Sequence, residues 1–292
     1  MTNSTPHARV GVVGGSGLYE IDALENRREV AVDTPFGAPS DRFVVGTIGG
    51  VDVAFLPRHG RGHRLLPTEI NFRANIWAFR SLGVEWLISA SAVGSLEEDV
   101  RPLDVVVPDQ FIDRTRHRVD TFFGDGLVAH VSLADPVCPD LRRILVGSLR
   151  GIGARVHDGG TYVCMEGPQF STRAESRLFR SWGARVIGMT NMQEARLARE
   201  AEICYATLAL VTDWDCWKDD EEPVSVDAVV ERLGRNAETA RRAVVDAIGR
   251  LPGERSCPCA RALDSAVITK RELIPESTIE RLGPVVRRLF GR

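Results

Sequence analysis

Short apolar runs rich in β-branched residues alternate with segments of helical period along most of this chain. The apolar runs predict strands at 10–15, 43–57, 85–95, 104–112, 160–168, 185–192 and 205–213. The helical segments lie at 67–83, 138–153, 171–183, 191–202 and 225–251, and several of them end in glycine. Strands that alternate with helices form parallel sheets covered on both faces. The sequence therefore predicts an α/β fold with a mostly parallel sheet.

The chain changes composition once, after Leu251, where a loop-like stretch precedes a short helical segment. We find no internal repeat, low-complexity segment or long linker. A chain of 292 residues with 43% hydrophobic residues can bury one extensive core. We predict a single domain over residues 1–292, with its core at about 8–251 and a C-terminal tail at 252–292.

Charge and hydropathy argue against two kinds of partner. The formal net charge is -3 and no long basic run occurs, so we expect no nucleic-acid partner. No apolar run approaches the roughly 20 residues that span a bilayer, so we expect no membrane partner. The first residues, MTNSTPHARVGVV, lack the apolar core and cleavage site of a signal peptide, which predicts a cytoplasmic protein.

The six cysteines are too widely spread to form a disulfide framework. Four stand singly, where we expect ordinary packed thiols: Cys138, Cys164, Cys204 and Cys216. Cys257 and Cys259 form a close pair in the tail. A zinc site would need a second pair of ligands nearby, and none follows along the chain. A local disulfide, a redox pair and a plain tail are the alternatives for this pair.

Four of the predicted strands end in groups that can bind an anion. The first ends in the glycine-rich turn VGVVGGSGLYE, where backbone N–H groups and the Ser16 hydroxyl could face a phosphate. The other three ends carry polar side chains that can donate to phosphate oxygens: Arg58 and His59, Ser89 and Ser91, and Thr190. Ligands of open α/β sheets bind outside the carboxyl ends of the strands. The four ends together predict a phosphate site.

The stretch CYATLALVTDWDCWKDDEEP runs from an apolar strand directly into acidic residues, beginning with Asp213 and Asp215. A reaction in which phosphate displaces a purine needs a proton for the leaving base, and a partly desolvated carboxyl group can supply it. We therefore predict Asp213 as the general acid, with Phe170 of EGPQFSTRAE as a stacking face. The later acidic residues at 219–222 are typical of a solvated loop.

The same sequence argues against cofactors. The glycine turn lacks the lysine of a P-loop and fails the dinucleotide fingerprint at its last glycine, which disfavours an NAD-type oxidoreductase. Neither Lys218 nor Lys270 lies in an apolar setting, as a Schiff-base lysine would. The two aspartates are too few oxygen ligands for a hard metal ion. We expect no metal and no cofactor, with inorganic phosphate as a co-substrate.

Taken together, the motifs between Val10 and Leu251 resemble those of the trimeric purine nucleoside phosphorylase family, specifically its 5'-methylthioadenosine phosphorylase branch. They occur in family order: GGSGLY, DTPFGAPSD, RHGRGH, NFRANIWA, VVPDQFIDRT, EGPQFSTRAES, GMTN and TDWDCW. The resemblance implies a single-domain nucleoside phosphorylase fold, with a mixed twisted sheet that curls toward a barrel and is flanked by helices. It also implies a homotrimer that converts methylthioadenosine and phosphate to adenine and 5-methylthioribose 1-phosphate, in purine and methionine salvage.

The resemblance also implies roles for individual residues. Phosphate would be bound by Ser16, Arg58, His59, Ser91, Ala92 and Thr190. The nucleoside would be bound by Phe170, Ile187, Met189, Asp213, Asp215 and Val229, and by His130 reaching into a neighbouring subunit's 5' pocket. Specificity would depend on Ser171 and Val226. The Cys257 and Cys259 pair resembles a tail feature that forms a disulfide in some heat-stable relatives.

Two consequences concern the choice of substrate. A carboxyl group that accepts from a 6-amino group favours adenine, because a 6-oxo purine would face it with lone pairs. An apolar wall from Val226 and Val229 would suit a thioether at the 5' position. Two residues depart from the family pattern: Gln169 stands where many members have arginine, and Gly188 where others have asparagine.

Other functions remain open on the sequence. The same fold could serve another nucleoside, such as a 5'-deoxyadenosine analogue, adenosine or methylthioinosine. The glycine turn and the arginines alone would also permit a nucleotide-binding module without catalysis. Hydrolysis in place of phosphorolysis is disfavoured by the predicted anion site.

Overall fold

The structure is a computed structural model that describes residues 7–15, 18, 20–218 and 226–291, without the side chains of 226–231 and 233. Its strands are β1 (Val10–Gly14), β2 (Glu25–Val30), β3 (Phe43–Ile48), β4 (Val51–Pro57), β5 (Trp86–Ser95), β6 (Val105–Val107), β7 (Gln110–Arg114), β8 (Val156–Asp158), β9 (Thr161–Met165), β10 (Ala184–Gly188) and β11 (Cys204–Asp213). Its α-helices are α1 (Phe72–Ser81), α2 (Pro139–Gly151), α3 (Arg173–Ser181), α4 (Asn191–Glu200), α5 (Val226–Arg250), α6 (Glu276–Leu282) and α7 (Arg287–Phe290).

All of these strands belong to one mixed sheet. Parallel ladders join β4 to β1, β1 to β5 and β5 to β11. Antiparallel ladders join β2 to β3, β3 to β4, β5 to β10 and β6 to β11. The predicted mixed sheet flanked by helices is confirmed, and the sheet does not close into a barrel. At its ends, β2, β7 and β8 each pair with a single strand among those described.

One edge of β5 changes its partner along the strand. β11 pairs with β5 from residue 86 to residue 94 on one edge. On the other edge, β1 pairs with residues 86–89 and β10 pairs with residues 94 and 95. Residues 90–93 lie between these two ladders, so a gap opens in the sheet at the middle of its longest parallel pairing.

Alternating side chains of the central strands pack into cores on opposite faces of the sheet. Ile88 of β5 packs in one core cluster with Leu145 of α2 and Val244 of α5. The preceding residue, Leu87, packs in another cluster with Phe79 of α1 and Leu197 of α4. Because the side chains of a strand alternate in direction, this pattern places α2 and α5 on one face and α1 and α4 on the other. The two-faced burial explains why the strand segments read as continuous apolar runs.

The helices begin where the sequence provides caps. The Asn71 side chain accepts from the backbone N–H of Ala74 at 3.1 Å at the start of α1. Thr172 and Glu175 form a reciprocal capping box at the start of α3. In the part of the chain that is described, no helix combines the length and apolarity needed to cross a bilayer.

Some predicted boundaries are wrong. The run at 43–57 is a hairpin of β3 and β4 that turns at Gly49 and Gly50, both with positive φ. The run at 104–112 divides into β6 and β7. β2 was not predicted because five of its six residues are exposed and polar, and β8 because it has only three residues. Edge strands without a buried face lack the apolar signal on which the prediction depends.

The tail packs against the rest of the molecule. Leu282 and Val285 are buried in the core cluster that contains α1 and α4. The indole N–H of Trp77 donates to the carbonyl of Leu282 at 3.0 Å. The division into a core and a tail stays a prediction.

Candidate active site

A cavity of about 390 Å³ lies at the carboxyl ends of β1, β4, β5 and β11, beside the gap in the edge of β5. Residues 90–93, which lack a strand partner on that edge, all line it. The cavity brings together ten predicted residues: Arg58, His59, Ser91, Ala92, Phe170, Ile187, Met189, Thr190, Asp213 and Asp215. Ser16 and the side chains of Val226 and Val229 lie outside the described residues.

Arg58 is buried at the bottom of the cavity and forms an ion pair that the sequence did not predict. Its Nε donates to Glu194 Oε1 at 2.5 Å, and its Nη2 donates to Glu194 Oε2 at 3.2 Å. Both side chains are almost fully buried, at 2% and 3% exposure. The pair is locally neutral, so the predicted cation of the anion site is already balanced by a carboxylate.

Most of the remaining Arg58 donors are also used inside the protein. Nη1 donates to the carbonyl of Ala90 at 2.9 Å, and Nη2 donates to Ser89 Oγ at 2.6 Å. Since a guanidinium carries five N–H groups, these contacts leave one N–H of Nη1 without a partner in the described part of the chain. Arg58 can therefore offer one donor to a ligand and otherwise organises the residues around it.

A polar network extends from this pair to the cavity wall. Asn191 donates through Nδ2 to Ser89 Oγ at 2.9 Å and to the Tyr205 hydroxyl at 2.8 Å. Its Oδ1 accepts from the Ser91 hydroxyl at 2.8 Å. Ser89 and Tyr205 both donate to Glu194 Oε2, at 2.8 and 3.0 Å. Each buried polar group of this network has a partner, which makes the network rigid.

Thr190 lies at the N-terminus of α4, at the edge of the cavity. It is the N-cap residue of that helix and is buried, yet its side chain makes no capping hydrogen bond. The first N–H groups of a helix lack intrahelical partners and attract anions. Capping therefore does not consume the Thr190 hydroxyl, which stays available beside the N-terminal N–H groups of α4.

His59 lines the cavity next to Arg58 and has its Nδ1 2.8 Å from the carbonyl of Leu65. Its ring stacks on His63 with centroids 4.1 Å apart. Burial lowers the pKa of His59 to about 4, although the Leu65 carbonyl opposes the shift, and the charges of Arg58, His63 and Arg118 add to it. His59 is therefore neutral at pH 7. Its Nδ1–H donates to the Leu65 carbonyl, and its unprotonated Nε2 can accept a hydrogen bond.

The two aspartates lie together at the end of β11. Asp213 Oδ2 accepts from the Thr212 hydroxyl at 2.7 Å, and Asp213 Oδ1 accepts from the backbone N–H of Asp215 at 2.8 Å. Asp215 has a positive φ of 51°, which bends the chain so that its own carboxyl group also lines the cavity. Its Oδ2 is buried without a hydrogen-bond partner in the described part of the chain. An unpaired buried acceptor costs folding energy.

Burial raises the pKa of both carboxyl groups. For Asp213, the hydrogen bonds from Thr212 and Asp215 oppose the rise, and the negative charge of Asp215 adds to it. For Asp215, burial is again the main cause of the raised pKa. Both carboxyl groups therefore hold a proton more readily than a solvated aspartate does, as a proton donor at this end of the cavity must.

The wall between the two polar ends is apolar. Ile187 at the end of β10 is buried, and Met189 follows it. Phe170 lines the cavity and is 47% exposed. Its uncovered ring can stack on a flat ligand.

Two glycines are required by close packing around the site. An added Cβ at Gly94 would lie 2.9 Å from Asp213 Oδ1 and 3.2 Å from the Cβ of Asp215. An added Cβ at Gly188 would lie 1.9 Å from the Tyr162 hydroxyl. The family departure at Gly188 thus has a local cause, because Tyr162 fills the space that a side chain there would need.

Two predicted residues do not line this cavity. Ser171 lies behind it, where its hydroxyl contacts the sulfur of the lining residue Met165 at 3.7 Å and its carbonyl accepts from Cys216 at 3.1 Å. His130 is exposed and lines a second, separate cavity together with Asp120 and Glu200. The roles predicted for Ser171 and His130 stay predictions.

Sequence reasoning missed Glu194 and Asn191, which hold Arg58 and Ser91. Both occur in NMQEARLARE, which predicted a helix but no site. Every residue from 191 to 195 is buried, including three polar ones. The available signal was Glu194 itself, a charged residue on the inward face of a helix, one turn after Thr190. Such residues are rarely buried without a partner.

The sequence matches one family model and a named relative over most of its length. Residues 9–249 match the family model described as the phosphorylase superfamily. A protein from Koribacter versatilis named S-methyl-5'-thioadenosine phosphorylase is 56% identical over 97% of this chain and 97% of its own length.

Solved structures agree with this match. A methylthioadenosine phosphorylase from an antarctic soil metagenomic library superposes with a TM-score of 0.92 and 50% identity, covering 96% of this chain and 99% of the other. A mutant adenosine/methylthioadenosine phosphorylase from Schistosoma mansoni, in complex with methylthioadenosine, has a TM-score of 0.79 and 37% identity, with 85% and 93% covered. On the extent of these matches, this chain belongs to the phosphorylase superfamily.

Proposed function

We propose that this protein catalyses the phosphorolysis of 5'-methylthioadenosine, releasing adenine and 5-methylthioribose 1-phosphate. One observation carries the proposal: a single cavity joins an anion-binding end to a pair of buried carboxyl groups across an apolar middle. This order matches the three parts of the reaction, which are a phosphate, a sugar and a departing base. The named relatives in this family, from Koribacter versatilis and Schistosoma mansoni, support the same substrate.

Phosphate is bound at the α4 end of the cavity. The Thr190 hydroxyl, the N-terminal N–H groups of α4, the backbone at Ala92 and the remaining Arg58 N–H supply its donors. Because Arg58 is paired with Glu194, it contributes less to phosphate binding than an unpaired cation would. The hydroxyl and backbone donors therefore contribute more. Ser91 can accept a hydrogen bond from a monoprotonated phosphate, since its own hydrogen is donated to Asn191.

The bond rearrangement is a displacement at the anomeric carbon. A phosphate oxygen forms a bond to C1' while the bond from C1' to N9 breaks, and the electron pair of that bond moves into the purine. Asp213, whose carboxyl pKa burial raises, donates its proton to N7 of the departing base. The transition state is oxocarbenium-like at C1', so the adjacent anion stabilises it while Asp213 neutralises the base.

Adenine is the base that this end of the cavity fits. The Asp215 carboxyl group, which lines this end of the cavity, accepts from the 6-amino group. A 6-oxo purine would place a lone pair against this carboxylate and leave both groups unpaired, which costs about 1–3 kcal/mol. Phe170 stacks on the purine ring, which covers its exposed face.

We also propose that the enzyme is a cytoplasmic homotrimer that serves purine and methionine salvage without a cofactor in the reaction. His130 is exposed and does not line the active-site cavity of its own chain, as expected of a residue that completes a neighbouring subunit's pocket. Light scattering coupled to size-exclusion chromatography would measure the mass in solution. A monomer of fully active protein would contradict both the trimer and the role of His130.

The reaction is tested by chromatography of base release from methylthioadenosine, adenosine and methylthioinosine, each with and without phosphate. We expect adenine release that requires phosphate and is fastest with methylthioadenosine. Release that is independent of phosphate would establish hydrolysis and contradict phosphorolysis. A preference for methylthioinosine would contradict the assignment of Asp215, while binding without release would leave only a nucleotide-binding module.

A further inference from the structure

Four cysteines that are far apart in the sequence meet in the folded chain. Their sulfur atoms all lie within 4.8 Å of one another, and all four residues are buried: Cys138, Cys204, Cys257 and Cys259. The tail pair therefore has the second pair of ligands that was not found along the chain. Cys138 is the N-cap of α2, and Cys204 is the first residue of β11. Cys257 and Cys259 lie in the short turn that follows α5.

The arrangement resembles a ligand cage more closely than two disulfides. None of the four sulfurs is bonded to another. Cys204 and Cys257 are in contact at 3.2 Å, yet each of the four sulfurs lies within 4.8 Å of the other three, so none has a single neighbour. Four thiolates at about 2.3 Å from a zinc ion are roughly 3.8 Å from one another in a tetrahedron. Sulfurs that all lie within 4.8 Å need only small movements to reach this geometry.

One feature beside the four cysteines favours the thiolate form, and another excludes water. Cys138 is the N-cap of α2, a helix of 13 residues, and makes no side-chain capping bond there. The partial positive charge of a helix N-terminus stabilises thiolates. Apolar core residues enclose the cysteines, so bulk water does not compete for the ion.

We propose that Cys138, Cys204, Cys257 and Cys259 bind one zinc ion as a structural tetrathiolate site. Four thiols lose their protons to solvent and Zn²⁺ forms four Zn–S bonds, with no oxidant or reductant required. Four protein ligands close the coordination sphere, as in structural zinc sites. The site is not catalytic, because Cys204 and Asp213 lie at opposite ends of β11, nine residues or about 30 Å apart.

The ion would fasten the tail to the core. Cys257 and Cys259 belong to the tail, whereas Cys138 and Cys204 belong to α2 and β11. A metal that ties segments separated by more than 50 residues restricts the unfolded chain and adds its binding energy to folding. Removing it should lower the unfolding temperature without abolishing methylthioadenosine turnover in the protein that stays folded.

The test is the metal content of protein purified with a reductant, without chelators and without a metal-binding tag. We expect one zinc ion per chain by inductively coupled plasma mass spectrometry, and loss of most of it in Cys204→Ser and Cys257→Ser. Cys164→Ser is the matched control, because Cys164 is equally buried but lies in another core cluster, and it should keep its zinc.

A second measurement covers variants that fail to fold. The wild-type protein, stripped of metal under reducing conditions, is titrated with Co²⁺, and we expect thiolate charge-transfer bands and the visible bands of a tetrahedral site that saturate at one equivalent. Two outcomes overturn the proposal. One is a non-reduced protein about 4 Da lighter than its sequence, which would establish two disulfides. The other is a reduced protein that takes up neither zinc nor cobalt.

Discussion

The two ends of the cavity are built in opposite ways. At the α4 end, Arg58, Glu194, Ser89 and Asn191 are buried and satisfy one another through hydrogen bonds. At the β11 end, Asp215 keeps an unpaired buried oxygen, and Phe170 leaves nearly half of its side chain exposed. At the first end the charged side chains are paired before a ligand arrives, and only the Thr190 hydroxyl, the N-terminal N–H groups of α4 and one Arg58 N–H stay available to it. At the second end, groups without a protein partner predominate.

Because of this difference, we expect the α4 end to contribute mainly to folding stability and the β11 end mainly to ligand recognition. Breaking a satisfied buried network costs folding energy, because it leaves charges or donors unpaired. Changing a group that still lacks its partner costs little folding energy and acts on the bound ligand. Substitutions at the α4 end should therefore lower stability most, and substitutions at the β11 end should lower catalysis or change specificity.

The largest effect is expected for Asp213→Asn. The amide cannot donate a proton to N7, so kcat for methylthioadenosine should fall about 10²- to 10⁴-fold while the unfolding free energy changes little. Steady-state kinetics and urea denaturation measure the two quantities. A nitrophenyl riboside is the control substrate, since its leaving group departs without protonation and should lose far less rate. Equal losses for both substrates would show that Asp213 only shapes the cavity.

The next effect is on folding and is produced by Glu194→Ala. It leaves the Arg58 guanidinium buried and unpaired, which should cost about 3–5 kcal/mol of unfolding free energy in urea melts. The control is Glu85→Ala, which removes the partner of Arg9 at a partly exposed site and should cost about 0–1 kcal/mol. If both variants lost the same stability, the α4 end would not be the rigid half of the site.

Asp215→Asn should change the choice of base. Its amide can donate to a 6-oxo group, so the ratio of kcat/KM for methylthioadenosine over methylthioinosine should fall about tenfold or more, equivalent to about 1–3 kcal/mol. Asp220→Asn in the same acidic run, where the sequence predicts a solvated loop, is the control and should keep the ratio. A ratio that is unchanged in Asp215→Asn would remove the reason for adenine preference.

Gly188→Ala tests the wall between the two ends. Its new Cβ would meet the Tyr162 hydroxyl, and overpacking of this kind costs about 1–3 kcal/mol. Tyr162→Phe removes the closest atom, so the double variant should be more stable than the sum of the two single changes predicts. Additive losses in urea melts would mean that the close approach of these two residues has no energetic consequence.

The smallest effect is on the pH dependence of the unfolding free energy. His59 at one end and Asp213 at the other should change it in opposite directions. The pKa of His59 is lowered to about 4 in the folded protein, so its contribution to stability is lost as the pH falls from about 6.5 toward 4. The raised pKa of Asp213 means that its contribution is lost as the pH rises through its folded value. Urea melts across this range should show a weaker acid loss in His59→Gln and a stronger one in Asp213→Asn. The same pH dependence in all three proteins would contradict both assignments.

The sequence predicts the elements of the fold where apolar periodicity is strong, as in β5, β11 and α2. It also predicts that the polar side chains at the ends of β4, β5 and β11 meet, because the carboxyl ends of parallel strands lie at one edge. Thr190 joins them from β10, which is antiparallel to β5, so that rule does not account for its position. It does not predict how those side chains are paired. Glu194 pairs with Arg58, which lies 136 positions away in the sequence, and nothing local in NMQEARLARE specifies that contact. The four cysteines were missed for the same reason, since their meeting depends on the packing of α2, β11 and the tail.

The gap in the edge of β5 has a consequence for how this enzyme can change. Along residues 90–93 the cavity is bounded by β5, which has no strand partner on that edge, and a side-chain substitution at Ala92 leaves its backbone amide in place. A side-chain substitution at Ala92 should therefore leave this donor in place, while replacing its amide by an ester would remove it. Substitutions can change the side chains that line the cavity, whereas the backbone donor proposed at Ala92 is inherited with the sheet itself.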